Sequence, residues 1–324
     1  MSLAEKLVRH RWIWSFFAVI LLWSLLALVT SRFSLQSLSG VLTTTSFLIL
    51  VSLGQMLVVT SGRGNIDLSV ASVITLSAFV TALLSPHVGV LVTLAAVCAV
   101  GLVAGLLNSL LVVIIRIPAI IATMAVGYIL ATTALLANRL MTGARLPAEL
   151  VSIVSSRVAG LPFMLLLAVL ASVAGGFLLK WTAWGRSLCA VGQNANAARL
   201  AGIKVGPVTS SAFVVSALLA AITGSLLAGY SGGAFLEMGS PFVLESVGAV
   251  VLGGSLIMGG ASTSTGTFFG AILLVLIVTT AQIAGLPPGS QDIAQGIVII
   301  AVLALAGGVR RRRLIFNRRA QRAA

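Results

Sequence analysis

Few residues in this chain can do chemistry. Of 324 residues, only six are Asp or Glu and two are His. The acid in the most suggestive setting is Asp67, in the segment SGRGNIDLSVASV (Ser61–Val73). Two glycines there permit backbone shapes that other residues resist. Asp67 and Ser69 then fall at the start of a helix, where a carboxylate and a hydroxyl satisfy free N–H groups and the positive end of the dipole. Asp67 is therefore either a capping residue or a contact for something that passes by. Gln55, Asn65, Asn108 and Gln282 are neutral amides in or beside long apolar runs. An amide both donates and accepts hydrogen bonds, which suits an uncharged, hydroxyl-rich solute. The same groups also serve to join helices. With Asp67 and Ser69, these amides are the candidates for lining a translocation path.

Catalytic chemistry finds no support. No Ser/His/Asp or Cys/His constellation is credible, and no metal-ligand spacing occurs. Cys98 falls in an apolar run and Cys189 in a polar loop, so neither implies a disulfide framework. His10 and His87 are far apart in sequence. The lysines Lys6, Lys180 and Lys204 have no phosphate-loop context. The chain is expected to bind no cofactor and to hydrolyse no ATP itself. Intramembrane carboxylates are nearly lacking, which counts against a proton-driven carrier.

The elements that must position these residues are membrane helices. The chain is 59% hydrophobic and 8% charged, against about 25% charged residues in a soluble domain. Its runs are too long and too continuously apolar for barrel strands. The expected spans are Trp12–Thr30, Thr43–Thr60, Ile66–Leu84, Val88–Ile115, Pro118–Ala137, Leu161–Leu179, Val208–Gly229, Phe242–Met258, Thr263–Ile283 and Asp292–Gly308. The run at Val88–Ile115 exceeds one crossing, so a tilt or a break near Gly101, Gly105 or Asn108 is expected. Small residues at Gly101 and Gly105 also let two helices approach closely. Phe242–Met258 is short and glycine-interrupted, which suggests a discontinuous element.

The net charge of +14 does not point to nucleic acid. The charges cluster at span ends and in the tail, where they orient membrane proteins. With ten spans and both termini inside, 16 of the 20 Lys and Arg residues are cytoplasmic. Arg32, Arg139, Arg145 and Arg157 fall outside. Arg139, Arg145, Arg157 and Glu237, joined by Glu245, form a possible outer docking rim. The domains read as a cytoplasmic N-terminus (1–11), a transmembrane body (12–309) and a basic cytoplasmic tail (310–324).

The loop Lys180–Gly206 carries four positive charges and no acid. Within it, Asn194 caps a short helix over Ala195, Ala198, Arg199 and Leu200, and Gly202 ends it. A capped helix held out of the membrane is either a docking element for a soluble partner or a solvated loop.

The motifs NIDLSVASV, RIPAIIATMAVG (Arg116–Gly127), WGRSLCAVGQNANAARLAGI and ESVGAVVLGGSLIMGG (Glu245–Gly260) occur in this order. Together, over about residues 40–308, they resemble the permease subunit of bacterial ABC importers for ribose, other monosaccharides and autoinducer-2. That family usually has glycine where this chain has Asn65 and Ala71. The resemblance implies an all-α, type II importer-like fold in the bacterial cytoplasmic (inner) membrane. It implies two cytoplasmic ATPase subunits, which bind the ATP, a second permease copy or paralogue, and a periplasmic or lipid-anchored sugar-binding protein. The loop helix at 194–202 would be the coupling helix. The expected activity is ATP-driven import of a ribose-like monosaccharide. Autoinducer-2, a polyol, or a stand-alone secondary carrier are the alternatives.

Overall fold

Proline and glycine punctuate the apolar runs, and the helices follow them. The computed structural model describes residues 12–29, 35–141, 146–287, 289–291, 293–298 and 300. Helix α1 spans Trp12–Val29, α2 Leu35–Thr60, α3 Val70–Ser109 and α4 Ala119–Arg139. Helix α5 spans Ala148–Ser155, and a two-residue hairpin follows, β1 at Arg157–Val158 and β2 at Leu161–Pro162. Then come α6 (Phe163–Trp181), α7 (Ala183–Gln193), α8 (Ala195–Leu200), α9 (Val205–Ser231), α10 (Phe242–Leu252) and α11 (Ser264–Ile283). Pro118, Pro147 and Pro162 sit at the N-caps of α4, α5 and α6, with φ between −57° and −51°. Proline suits these places because its ring presets φ and it has no N–H to leave unpaired.

Among the described residues, six helices are long and apolar enough to cross a membrane. One of them is two helices joined at a kink. A straight helix of 40 residues would be about 60 Å long. Yet Asn108 Nδ2 lies 2.8 Å from Ser69 Oγ, across nearly the whole of α3. The chain folds back at Gly89, whose φ of 79° and ψ of 168° are not helical, just after Pro86. Two separate helices therefore stand where spans were expected at Ile66–Leu84 and Val88–Ile115, the first beginning at Val70.

The expected break near Gly101, Gly105 or Asn108 is not there. These residues lie in continuous helix, and the irregularity comes later, as a π-helical turn at Leu110–Ile114. Gly101 and Gly105 serve close packing instead. A Cβ on Gly105 would lie 2.5 Å from Val214 Cα, and one on Gly101 2.9 Å from Ala217 O. This seam of small residues brings α3 against α9, where Ala212, Ala217, Ala220 and Ala221 are fully buried. Gly105→Leu is expected to lower the unfolding temperature in detergent, since overpacking costs about 1–3 kcal/mol. Gly40→Leu, with nothing within 4 Å of its Cβ position, is expected to leave it unchanged.

The loops sort to two ends. Ser61–Asn65, Arg116–Pro118 and the start of α9 border one cavity with Arg199. At the opposite end, Ser85, Pro86 and Gly89 border a second cavity with Pro147 and Glu149. Helix α1 packs on α11, with Phe16 and Phe269 edge to face at 5.0 Å, and Ser15 Oγ donates to Leu252 O.

Candidate functional site

The break between α2 and α3 builds a buried polar cluster. Gly62, Arg63 and Gly64 all have left-handed φ, 85°, 59° and 72°, so the chain reverses after Thr60. It then runs back beside the tip of α2. With its amide oriented to suit its surroundings, Gln55 donates to Asp67 O and accepts from Asp67 N, both at 3.2 Å. Asp67 Oδ1 accepts from Ser69 N at 3.0 Å and Ser69 Oγ at 2.6 Å. Its Oδ2 accepts from Ser216 Oγ at 3.1 Å. Asn108 Nδ2 reaches the same carboxylate at 3.4 Å, and Leu68 N donates to Thr123 Oγ1 at 3.0 Å.

One short segment is thus tied to α2, to both ends of α3, to α4 and to α9. Among the described residues, no Lys or Arg bonds to the cluster. N–H and O–H dipoles hold the carboxylate, as at helix starts generally. Asp67 thus accepts from the residue that opens α3 and is 1% exposed.

Of the expected path residues, Gln55, Asp67, Ser69 and Asn108 come together here. Asn65 lies apart, donating to Ser61 Oγ at 2.8 Å, and borders the cavity at the end of the molecule that holds Arg63, Arg116 and Arg199. Gln282 is exposed near the end of α11, away from the cluster. Ser216 and Thr123 are members that sequence reading missed. Hydroxyls are too common in apolar helices to stand out, so no signal marked them.

A second feature joins the polar loop to this break. Thr60 O accepts from Gly260 N at 3.0 Å, and Gln193 Nε2 donates to Gly260 O at 3.2 Å. A Cβ on Gly192 would lie 1.9 Å from Thr60 O and 2.4 Å from Gly260 N. One on Gly259 would lie 2.2 Å from Gly62 Cα. The end of α7, the end of α2 and the linker before α11 therefore meet backbone to backbone. No side chain larger than hydrogen fits at Gly192 without displacement.

The short helix forms as expected. Asn194 Oδ1 accepts from Asn196 N at 3.0 Å and Ala197 N at 3.1 Å, and Gly202 turns the chain with φ of 83°. The candidate coupling residues divide between two faces. Ala198 is 4% exposed and Leu200 92%; Arg199 is exposed and Ala195 half-buried. Helix α7 was hidden in what reads as loop. Its signal was the spacing of Trp184, Leu188 and Val191, the last two of which are buried. Trp184 Nε1 donates to Ser211 Oγ at 2.7 Å and fastens α7 to α9. Burial pushes the Cys189 thiol up from its ordinary value.

Arg139 and Arg157 are exposed, and Arg145 lies outside the described residues. Glu237 is exposed too, but at a different height. Gly239 N donates to Thr75 Oγ1 at 3.1 Å, which places that stretch beside the first turns of α3, well short of Gly89. Glu245 accepts from Gln295 Nε2 at 3.1 Å.

Apolar helices that break around a buried polar cluster, beside a short capped helix, fit a polytopic membrane protein. The chain belongs to the family described as branched-chain amino acid transport system / permease component, whose model matches residues 37–303. It is 35% identical over 312 residues to the autoinducer 2 import system permease protein LsrC of Klebsiella pneumoniae, covering 94% of this chain and 89% of that one. It is 33% identical to the LsrC protein of an Enterobacter species over 314 residues, 94% of this chain and 89% of the relative. It is 32% identical to that of Yersinia pseudotuberculosis over 299 residues, 90% and 84%. No solved structure matches the chain.

Proposed function

We propose that this chain is the translocating permease subunit of an ATP-driven importer in the bacterial inner membrane. Its solute is a small, neutral, hydroxyl-rich molecule, such as autoinducer-2 or a ribose-like monosaccharide. The relatives are named for autoinducer-2 import, which favours the first over the second. Ten spans with both termini cytoplasmic satisfy the charge distribution. ATP is bound and split by two partner subunits, since this chain has no phosphate-loop motif. A second permease copy or paralogue completes the path. A solute-binding protein docks on the outer face, with Arg139, Arg145 and Arg157 as its candidate contacts.

The observation that carries this reading is the backbone contact of the α7–α8 segment with the end of α2 and the linker before α11. A partner that pushes on α8 displaces Gly192 and Gln193. These in turn displace Thr60 and Gly260, and the segment that holds Asp67 follows. Asn65, Gln55, Ser69 and Asn108 line or brace the path that this movement opens. Physical contiguity of this kind gives coupling a route, and a response at both ends is what would demonstrate it.

The test is uptake into vesicles holding the chain with its ATPase and binding protein. Leu200→Asp puts a charge on the exposed face of α8 without touching its buried face. It is expected to cut ATPase assembly and uptake by roughly tenfold or more, because a desolvated charge at an interface costs about 2–5 kcal/mol. Unchanged assembly would remove α8 from the docking role. Solute flux through vesicles holding this chain alone would favour a stand-alone carrier.

A further inference from the structure

At the end of the molecule that holds α8, a cavity of about 660 Å³ opens between the start of α9, the loop after α2 and the junction of α3 with α4. Arg63, Arg116 and Arg199 line it, together with Asn65 and Thr209, and among the described residues no carboxylate does. Among the described residues, none of the three guanidinium groups has a hydrogen bond or ion pair. Orientation of the chain in a membrane accounts for positive charge at this end, but not for its form. Lysine would serve orientation equally well, yet Lys180 and Lys204 stay off the lining.

Arg63 and Arg116 also hold left-handed backbone, with φ of 59° and 65°. Glycine takes that conformation freely and arginine does not. Arg63 even stands between two glycines with the same sign of φ, so a third glycine would have eased the turn. Side chains kept at the expense of backbone comfort mark a site where the guanidinium itself is used. Three arginines lining one concavity fit a phosphoryl group, which a guanidinium binds bidentately. The volume lies in the range of ligand sites, about 300–1,000 Å³, and exceeds what a bare phosphate fills. Ile117 and Ile120 line the same cavity, and Ile120 is 45% exposed. An apolar wall next to a phosphate pocket fits a molecule with acyl chains.

We propose that this cavity binds the phosphate headgroup of an anionic phospholipid, wedged between the α3–α4 junction and the α8 segment. Basic pockets between membrane helices take lipid headgroups in this way.

The test uses the purified full-length chain in nonionic detergent, with thermal unfolding and native mass spectrometry as readouts. The probes are dioctanoylphosphatidylglycerol, dioctanoylphosphatidylcholine, glycerol 3-phosphate and inorganic phosphate. Phosphatidylglycerol is expected to bind and stabilise, and the other three to do so at least tenfold more weakly. Arg199→Gln, in ordinary helix, is expected to keep the lipid-free unfolding temperature and lose about tenfold in phosphatidylglycerol affinity, the scale of one charge-assisted contact. Arg63→Gly and Arg116→Gly relieve the backbone. They are expected to unfold no earlier than the parent without lipid, and still to lose the lipid. Equal binding of glycerol 3-phosphate, or affinity for phosphatidylglycerol unchanged in all three variants, would overturn the proposal. Loss of ATPase assembly in Arg199→Gln with lipid affinity intact would overturn it too, by giving the pocket to a protein partner.

Discussion

Gly192→Ala is expected to reduce ATP-driven uptake by about tenfold or more, the kinetic equivalent of at least 1.4 kcal/mol. The added methyl would sit 1.9 Å from Thr60 O and 2.4 Å from Gly260 N. Both obstacles are backbone, so neither can rotate away as a side chain would. Overpacking of this kind costs about 1–3 kcal/mol. The strain falls on the junction that joins the end of α7 to the ends of α2 and of the linker before α11. The expected signature is a modest loss of thermal stability with a disproportionate loss of uptake, while ATPase assembly persists, because Leu200 and the outer face of α8 are untouched. Gly40→Ala is the matched control, since its Cβ position meets nothing within 4 Å. Equal uptake by the two variants would mean that the junction can part without consequence.

Asp67→Ala is expected to have the larger effect on folding. The carboxylate accepts from Ser69 N, Ser69 Oγ and Ser216 Oγ inside the bundle. Its removal strands these donors, each at about 1–3 kcal/mol when buried and unpaired. The loss is expected to exceed about 3 kcal/mol and to appear as poor recovery of folded protein from membranes. Asp67→Asn keeps an acceptor for Ser69 N, and the Ser216 hydroxyl can turn to accept from the new amide. It is therefore expected to fold far better than Asp67→Ala and to retain much of the uptake. Equal damage from Asn and Ala would show that the charge itself is required, and would return Asp67 to the role of a solute contact.

Much of this was legible from local chemistry. Asn194 and Gly202 mark a helix start and stop that need nothing from the rest of the chain, and α8 forms between them. The motif run from Asn65 to Gly260 pointed to the permease family, which the family match and the relatives bear out. Pro118 opened a helix where expected.

Other features depended on partners distant in sequence. Gly101 and Gly105 read as a packing seam, but only the position of α9 shows which helix they meet. Gln282 looked like Gln55 and Asn108, an amide in an apolar run, yet it faces out while they face in. The contact among Thr60, Gly192 and Gly260 joins residues up to 200 positions apart in a chain with 33 glycines, where glycine alone carries no information. Glu237 was grouped with the outer arginines because its flanks read as a loop between spans. The chain there turns back toward α3, so its height differs from that of Arg139.

The most direct test of the account is amide hydrogen exchange on the chain assembled with its ATPase, with and without a non-hydrolysable ATP analogue. The account predicts that exchange changes together in three places: Ala195–Leu200, the Gly260 amide bonded to Thr60, and the segment Asn65–Ser69. A change confined to Ala195–Leu200, with Gly260 and Asn65–Ser69 unaltered, would contradict it.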